Sequence, residues 1–163
     1  MVELRQETPQ DWWEVEALYD LSFAPGREAL SSYRLRDDVP AVSALCIVAC
    51  DEDGTVGGVI RYWPVRVRTA AALLLGPIAV HPTRQGEGLG GALMRDSLIR
   101  ARDLGWERVL LVGDAPYYGR FGFDKLDHVR MPPPTNPDRV LGFELQENAW
   151  QGIEGLVEKT APG

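Results

Sequence analysis

Eight consecutive residues, Arg84-Gln85-Gly86-Glu87-Gly88-Leu89-Gly90-Gly91, constrain this chain more than any other stretch. The apolar run Leu73-Leu74-Leu75-Gly76-Pro77-Ile78-Ala79-Val80 precedes them, and an amphipathic helical pattern follows. A strand, a glycine loop and a helix start in that order aim free backbone N–H groups at one point. The first turn of a helix leaves its N–H groups without intrahelical partners, and the macrodipole adds partial positive charge there. Glycine permits positive φ and lets an anion approach the backbone. The group this favours is a phosphate or pyrophosphate.

Three phosphate ligands compete. A nucleoside-triphosphate P-loop needs Lys and then Ser or Thr directly after its last glycine, but Gly91 is followed by Ala92 and Leu93. The dinucleotide fingerprint G-x-G-x-x-G is matched by Gly86, Gly88 and Gly91, in the wrong context. That fingerprint follows its strand almost at once and opens a series of alternating strands and helices. Here His81-Pro82-Thr83-Arg84-Gln85 intervenes, and too little chain follows for two mononucleotide-binding halves.

The third reading rests on longer wording. Gln85-x-x-Gly88-x-Gly90, after a strand ending in Val80-His81-Pro82, resembles the pyrophosphate loop of the GNAT N-acetyltransferase superfamily. Gly113-Asp114-Ala115-Pro116-Tyr117-Tyr118-Gly119-Arg120-Phe121-Gly122-Phe123 resembles that family's later Tyr-x-x-x-Gly-Phe element. With Leu75-Gly76-Pro77-Ile78-Ala79-Val80 and the proline-rich stretch leading to Leu141-Gly142-Phe143-Glu144-Leu145, the wording is similar to the YhbS-like branch. The resemblance covers nearly the whole chain. It implies an α+β fold: a central mixed, mostly antiparallel sheet of about 6–7 strands, flanked by about four helices, in one domain over residues 1–163.

Size and composition agree with such a domain. The 163 residues are 45% apolar, enough for one core. No apolar run approaches the ~20 residues needed to span a bilayer. The N-terminus, Met1-Val2-Glu3-Leu4-Arg5, lacks a signal-peptide layout, so a cytoplasmic location is expected. Cys46 and Cys50 lie in one apolar segment. Four residues of strand span about 13 Å, beyond the ~7 Å reach of a disulfide. They read as small buried hydrophobes, and no metal site is expected. A formal charge of −7 argues against a nucleic-acid footprint and mildly favours cationic substrates such as amines. Arg66, Arg68, Arg95, Arg100 and Arg102 read as solvated element faces.

Along the chain, Val2–Gln6 reads as a first strand. Thr8-Pro9 reads as an N-cap and first helical position of a helix through Trp13, Val15, Ala17, Leu18, Leu21 and Phe23, broken at Pro25-Gly26. A second helix is expected over about 27–36. Strands at about 43–51 and 55–66 flank the turn Asp51-Glu52-Asp53-Gly54. The strand 70–80 carries a bulge at Gly76-Pro77, where proline cannot donate to a ladder. Such a bulge splays the strand and frees backbone groups of Ile78 and Val80. The central helix runs from about Gly88 to Leu104 with Gly105 as its cap. It buries Leu93, Met94, Leu98, Ala101 and Leu104, with small residues Gly90, Ser97 and Ala101 near the middle of that face. A buried strand at 107–113, a helical turn at 117–121 and extended segments near 123–131 and 139–146 complete the reading.

The resemblance also implies chemistry. The cosubstrate is acetyl-CoA, with no metal. Backbone N–H groups of the loop, from Arg84, Gln85, Gly86, Glu87 and Gly88 to Leu89, Gly90 and Gly91, hold the pyrophosphate. The pantetheine arm pairs with Ile78, Ala79 and Val80 like an added strand, the Ile78 N–H polarises the thioester, and Tyr117 lies beside the cosubstrate. By its place in the motif Tyr118 is the acid that meets the departing thiolate; from the residues alone it reads equally well as a packing aromatic. The general base is open among Asp114, His81, Glu144 and a water relay. Trp12, Trp13, Tyr33, Tyr62, Trp63 and Trp150 could line the acceptor site, although most suit a core. The implied activity is acetyl transfer to a primary amine of a small molecule, peptide or protein by direct attack, in a monomer or homodimer. The alternative is a CoA-binding sensor without catalysis.

Overall fold

The structure, a computed structural model, describes residues 2–22, 35–36, 39–76 and 78–160. Its strands are β1 (Glu3–Gln6), β2 (Ile47–Cys50), β3 (Val56–Ile60), β4 (Tyr62–Val67), β5 (Ala70–Leu75), β6 (Ala79–Val80), β7 (Arg108–Val112), β8 (Asp124–Lys125), β9 (Val129–Arg130), β10 (Val140–Glu144) and β11 (Gly155–Lys159). The α-helices among the described residues are α1 (Trp12–Ser22), α2 (Leu89–Asp103) and α3 (Ala115–Gly119). The second helix expected near 27–36 lies almost wholly outside the described residues.

The strands form two sheets. One has the order β1-β2-β3-β6, the other β8-β10-β7-β5-β4-β11-β9. Pairing is antiparallel except for β5 with β7 and β11 with β9. The mixed, mostly antiparallel α+β architecture is the one expected, but two expected strands are each cut in two. The segment 55–66 breaks at Arg61, and 70–80 breaks after Leu75. Both halves before and after each break belong to different sheets, so the chain crosses between sheets twice. The crossings meet: the Gly76 N–H donates to the Arg61 carbonyl at 2.8 Å. A Cβ on Gly76 would sit 2.7 Å from the Trp63 ring, so only glycine lets the ring pack there.

Helix α2 covers one face of the sheets. Leu93, Met94, Leu98 and Ala101 are buried as expected, together with Leu89 and Ser97. Leu104 is not: it caps the helix and is 55% exposed, because α2 ends at Asp103 and Gly105 at φ +93° turns the chain away. Gly58 on β3 makes room for α2, since a Cβ there would meet Leu93 at 3.1 Å. Ser97 does more than keep the helix close. Its hydroxyl lies 2.8 Å from the Tyr62 hydroxyl and 3.0 Å from the Met94 carbonyl, which satisfies a buried polar pair. On the opposite side of the smaller sheet, Val15, Leu18 and Tyr19 of α1 pack on Val48, Cys50, Val59 and Ala79. The second face of the larger sheet packs Val65, Val67, Leu74, Leu110, Met131, Trp150 and Val157. Cys46 and Cys50 are free and buried, and burial pushes both thiols up.

The entry to α1 differs in detail from expectation. A 3₁₀ turn, Pro9–Asp11, precedes the helix and takes Thr8 as its N-cap and Pro9 as its first residue, and the Thr8 hydroxyl donates to Asp11 Oδ2 at 3.1 Å. Asp11, 5% exposed, also accepts from the Thr8 N–H at 2.7 Å and from both Arg5 guanidinium nitrogens at 2.8 Å. The bidentate Arg5 bond is the main cause that holds the Asp11 carboxyl well below the usual carboxylate range. A depressed carboxyl contributes stability that is fully present above its unfolded value, about 3.9, and is lost as pH falls through the folded one. Asp11→Ala should therefore lower stability by about 2 kcal/mol at neutral pH, below the figure for fully buried pairs because Arg5 stays partly in water. In urea melts the gap between variant and wild type should close below about pH 4; an equal gap at pH 7 and pH 3 would contradict this account.

Candidate active site

The two crossings open an edge. The β5–β7 ladder is last recorded at Leu74–Leu110, and β6 pairs only with β3. The His81 N–H donates to Gly57 O at 2.9 Å, and the register sets Ala79 opposite Val59 and Val80 opposite Gly58. Alternation along an antiparallel pair then turns the backbone of 79 and 81 toward β3 and that of Ile78 and Val80 away from it. The outward edge of β6 is therefore unpaired, apart from the Val80 carbonyl, which accepts from the Gln85 side chain at 3.3 Å.

The glycine loop closes over the end of that edge. Gly86 and Gly88 adopt φ of +89° and +81°, the left-handed region that glycine enters freely. Gly88 is the N-cap of α2, and Ala92 N–H bonds back to Gly88 O at 3.0 Å. The N–H groups ahead of Ala92 belong to the unsatisfied first turn. Gly90 sits in a tight place: a Cβ there would lie 3.1 Å from the Tyr117 hydroxyl and 3.8 Å from Val80. Strand edge, loop and Tyr117 are thus in mutual contact around one glycine.

A cleft of about 910 Å³ runs through this junction. Ile78, Val80, Arg84, Gln85, Gly86, Gly88, Leu89, Gly90, Gly91, Tyr117 and Tyr118 line it. Two of the residues assigned from the sequence do not. Ala79 faces the α1 side of the sheet and is buried. Glu87 turns to Arg84, whose Nε bonds it at 2.9 Å while Nη1 pairs with Asp51. Both carboxylates raise the Arg84 guanidinium, Asp51 the more strongly. Sequence reading missed Arg95, Leu98, Arg120 and Phe121, which also line the cleft. Arg95 had been set on a solvated helix face; its one-turn distance from Gly91, on the side facing the loop, was the available signal.

Tyr118 sits at the cleft's inner wall on α3, a short helix started by Asp114, whose carboxylate accepts from the Tyr117 N–H at 3.0 Å. The Tyr118 ring meets Tyr117 edge-on at 4.9 Å and Phe123 at 6.0 Å. Gly113 lies directly beneath it: a Cβ there would come within 2.4 Å of the ring. Among the described residues no group hydrogen-bonds the Tyr118 hydroxyl. Burial, with a smaller push from Tyr117, raises this phenol to about 12, so it stays protonated at physiological pH.

The three candidate bases all have other partners. Asp114 caps α3, His81 Nδ1 faces Thr83 Oγ1 at 2.8 Å, and Glu144 accepts from the Trp150 N–H at 2.9 Å. Glu144 also pairs with Arg108 at the end of the β7–β10 ladder far from Val112 and Tyr118. Of the aromatics considered for an acceptor site, Tyr62, Trp63 and Trp150 are core residues. Trp150 Nε1 donates to Val109 O and Phe143 O at 3.2 and 3.1 Å. Trp12 and Trp13 are exposed on α1, and Tyr33 lies outside the described residues. Among the described residues no group of three or more His, Cys, Asp and Glu could hold a metal, and no helix is long and apolar enough to cross a membrane.

Comparison with known proteins agrees with this geometry. The Acetyltransferase (GNAT) domain family matches residues 43–125, from the turn before β2 through the glycine loop and α3 to β8. The uncharacterized N-acetyltransferase YhbS of Escherichia coli is 32% identical over 159 residues, 95% of this chain and 94% of that protein. The crystal structure of E. coli YhbS in complex with CoA superposes with a TM-score of 0.85 at 30% identity, covering 98% of this chain and 89% of that one. A Brucella melitensis GNAT family acetyltransferase in complex with acetyl-CoA gives 0.73 at 30% identity, covering 99% and 97%. With its family model matched over residues 43–125 and a relative 32% identical over almost its whole length, this chain belongs to the GNAT N-acetyltransferase family.

Proposed function

We propose that the protein transfers an acetyl group from acetyl-CoA to a primary amine, of a small molecule or of a peptide or protein, with both substrates bound together. The observation that carries this is the meeting of three features in one cleft: the edge of β6 and the Tyr118 hydroxyl, each left without a protein partner among the described residues, and the first turn of α2. The CoA and acetyl-CoA complexes of the two neighbours support it.

The residues fit the cosubstrate without any lysine. The free loop N–H groups take the pyrophosphate, those of Arg84 and Glu87 being spent on the His81 and Arg84 carbonyls; hydrogen bonds to a charged acceptor contribute about 1.5–3 kcal/mol each. The outward backbone of Ile78 and Val80 takes the amides of the pantetheine arm as an added strand would. Because Gln85 already occupies the Val80 carbonyl, that bond must be shared or released. Acetyl-CoA brings an activated thioester. The Ile78 N–H polarises its carbonyl, an oxyanion-type contribution. In the transfer a C–N bond forms as the C–S bond breaks, the sulfur leaves as thiolate, and the attacking nitrogen loses one proton.

Tyr118 faces that thiolate. A thiol has an ordinary value near 8.5, and each unit of difference costs about 1.4 kcal/mol. With the phenol at about 12, full proton transfer to sulfur is strongly uphill. Tyr118 therefore acts by donating a hydrogen bond to the developing charge. With Asp114, His81 and Glu144 engaged elsewhere, proton loss from the amine goes to solvent or through water.

Three measurements test this reading. Gly88→Val places a β-branched side chain at positive φ in the open space before the loop; CoA affinity by calorimetry should fall about tenfold or more, the value of one charge-assisted bond, with the fold retained. Unchanged affinity would remove the loop from binding. Tyr118→Phe should lower turnover about a hundredfold with CoA affinity nearly unchanged, and the wild-type rate should rise with pH and show no alkaline fall below pH 10. Equal turnover of the two forms would take Tyr118 out of the mechanism. Finally, an amine screen followed by free-thiol release should give intersecting double-reciprocal lines. Cys46 and Cys50 are buried away from the cleft, so neither is available to carry the acetyl group. Parallel lines would require a covalent route; firm CoA binding with no turnover on any amine would favour the non-catalytic sensor.

A further inference from the structure

Gly91 is left over by everything above. The Gln85-x-x-Gly88-x-Gly90 pattern does not need it, and inside a helix glycine costs about 1 kcal/mol relative to alanine. Its surroundings give a reason. A Cβ on Gly91 would lie 3.1 Å from Arg95 Nη1 and 3.3 Å from Nη2. The missing side chain lets the Arg95 guanidinium fold back along α2 toward the glycine loop, the direction in which helical side chains lean.

The cleft holds three arginines, and they differ in one respect. Arg84 is neutralised by Asp51 and Glu87. Arg95 has no ion pair among the described residues. Arg120, at the end of α3, stacks its guanidinium on the Tyr117 ring at 4.7 Å and bonds the Tyr117 carbonyl through Nε at 3.3 Å. Stacking leaves the outer N–H groups of a guanidinium available, and Arg120 has no carboxylate partner among the described residues. Two uncompensated arginines thus enter one cleft from its two helical walls, on a chain of formal charge −7. The loop backbone suffices for a pyrophosphate. A second anionic group with a different location is what Arg95 and Arg120 fit, and a phosphomonoester, with a charge near −2 at neutral pH, matches two guanidinium groups.

We infer that Arg95 and Arg120 form a phosphomonoester subsite that reads the ribose 3′-phosphate of CoA and makes the protein discriminate CoA from dephospho-CoA. This inference rests on the CoA reading above. The test is calorimetric titration of the intact protein and of Arg95→Gln, Arg120→Gln and the double variant, each with CoA and with dephospho-CoA. Both side chains are exposed, so thermal midpoints should be kept. The wild type should bind CoA roughly tenfold to a hundredfold more tightly than dephospho-CoA, as one or two charge-assisted bonds imply. Each single variant should lose part of that preference, and the double variant should bind the two ligands alike, at the wild-type affinity for dephospho-CoA. Equal wild-type affinities, or a double variant that keeps the full preference, would overturn the subsite and leave the loop reading standing. Failure of the wild type to bind either ligand would instead overturn the CoA reading itself.

Discussion

One backbone hydrogen bond, from the Gly76 N–H to the Arg61 carbonyl, joins the two places where the chain passes from one sheet to the other. It is braced from outside. The Arg61 guanidinium holds Glu7 at 2.9 and 2.6 Å and Glu16 at 3.0 Å, which ties the crossing to the end of β1 and to α1. Burying such charges repays its desolvation only when geometry is good and the remaining donors are used; here all three guanidinium nitrogens have carboxylate partners. On the inner side, the Trp63 ring lies against Gly76, and the Arg36 guanidinium lies 3.6 Å over that ring.

The site follows from that junction. Were 70–80 a single unbroken strand, β6 would continue the pairing of β5 and offer no edge. Splitting it moves Ala79 and Val80 to the smaller sheet, on β3, while β5 stays with β4 and β7. An exposed strand edge is ordinarily a hazard; this one is short, recessed in a cleft and shielded by the glycine loop, so what is left open is a few backbone groups of defined direction. The groups proposed to hold the cosubstrate there are main chain, and their geometry depends on the fold rather than on side-chain rotamers.

Much of this was legible because it rests on residues with few alternatives. Gly76-Pro77 signalled the break, and the glycine run with its flanking strand and helix signalled the loop that lines the cleft ahead of α2. The Leu93, Met94, Leu98 and Ala101 spacing gave the buried face of α2, and Gly105 its end. The illegible parts are those decided by tertiary packing. Nothing local at Arg61 ends a strand; the switch of sheets does. β11 has only Val157 fully buried, so it carries no periodic signal and exists because β4 and β9 offer it edges. Leu104 continues the apolar spacing of α2 by identity but falls beyond its last turn. Arg95 is exposed as its helical spacing indicates, but spacing alone tells which side a residue takes, and not that this side borders a cleft.

The charge pattern of the cleft completes the argument. Carboxylates near the proposed pyrophosphate site would repel it, yet Asp51 and Glu87 lie there; Arg84 is held between them and offsets one of their two charges. The charge left over there is opposed from the other side of the cleft, which Arg95 and Arg120 line. At the end of the cleft proposed to hold the thioester the side chain is Tyr118, which brings no charge. Among the described residues its hydroxyl has no protein acceptor to give up, and Gly113 lets its ring lie flush against the chain. A cation at the same place would stabilise a thiolate more strongly, but it would also disfavour an incoming amine in its protonated, resting form. A neutral donor whose proton is held to about pH 12 can serve the departing sulfur without that penalty, which is a physical reason for a tyrosine, rather than a lysine or histidine, at position 118.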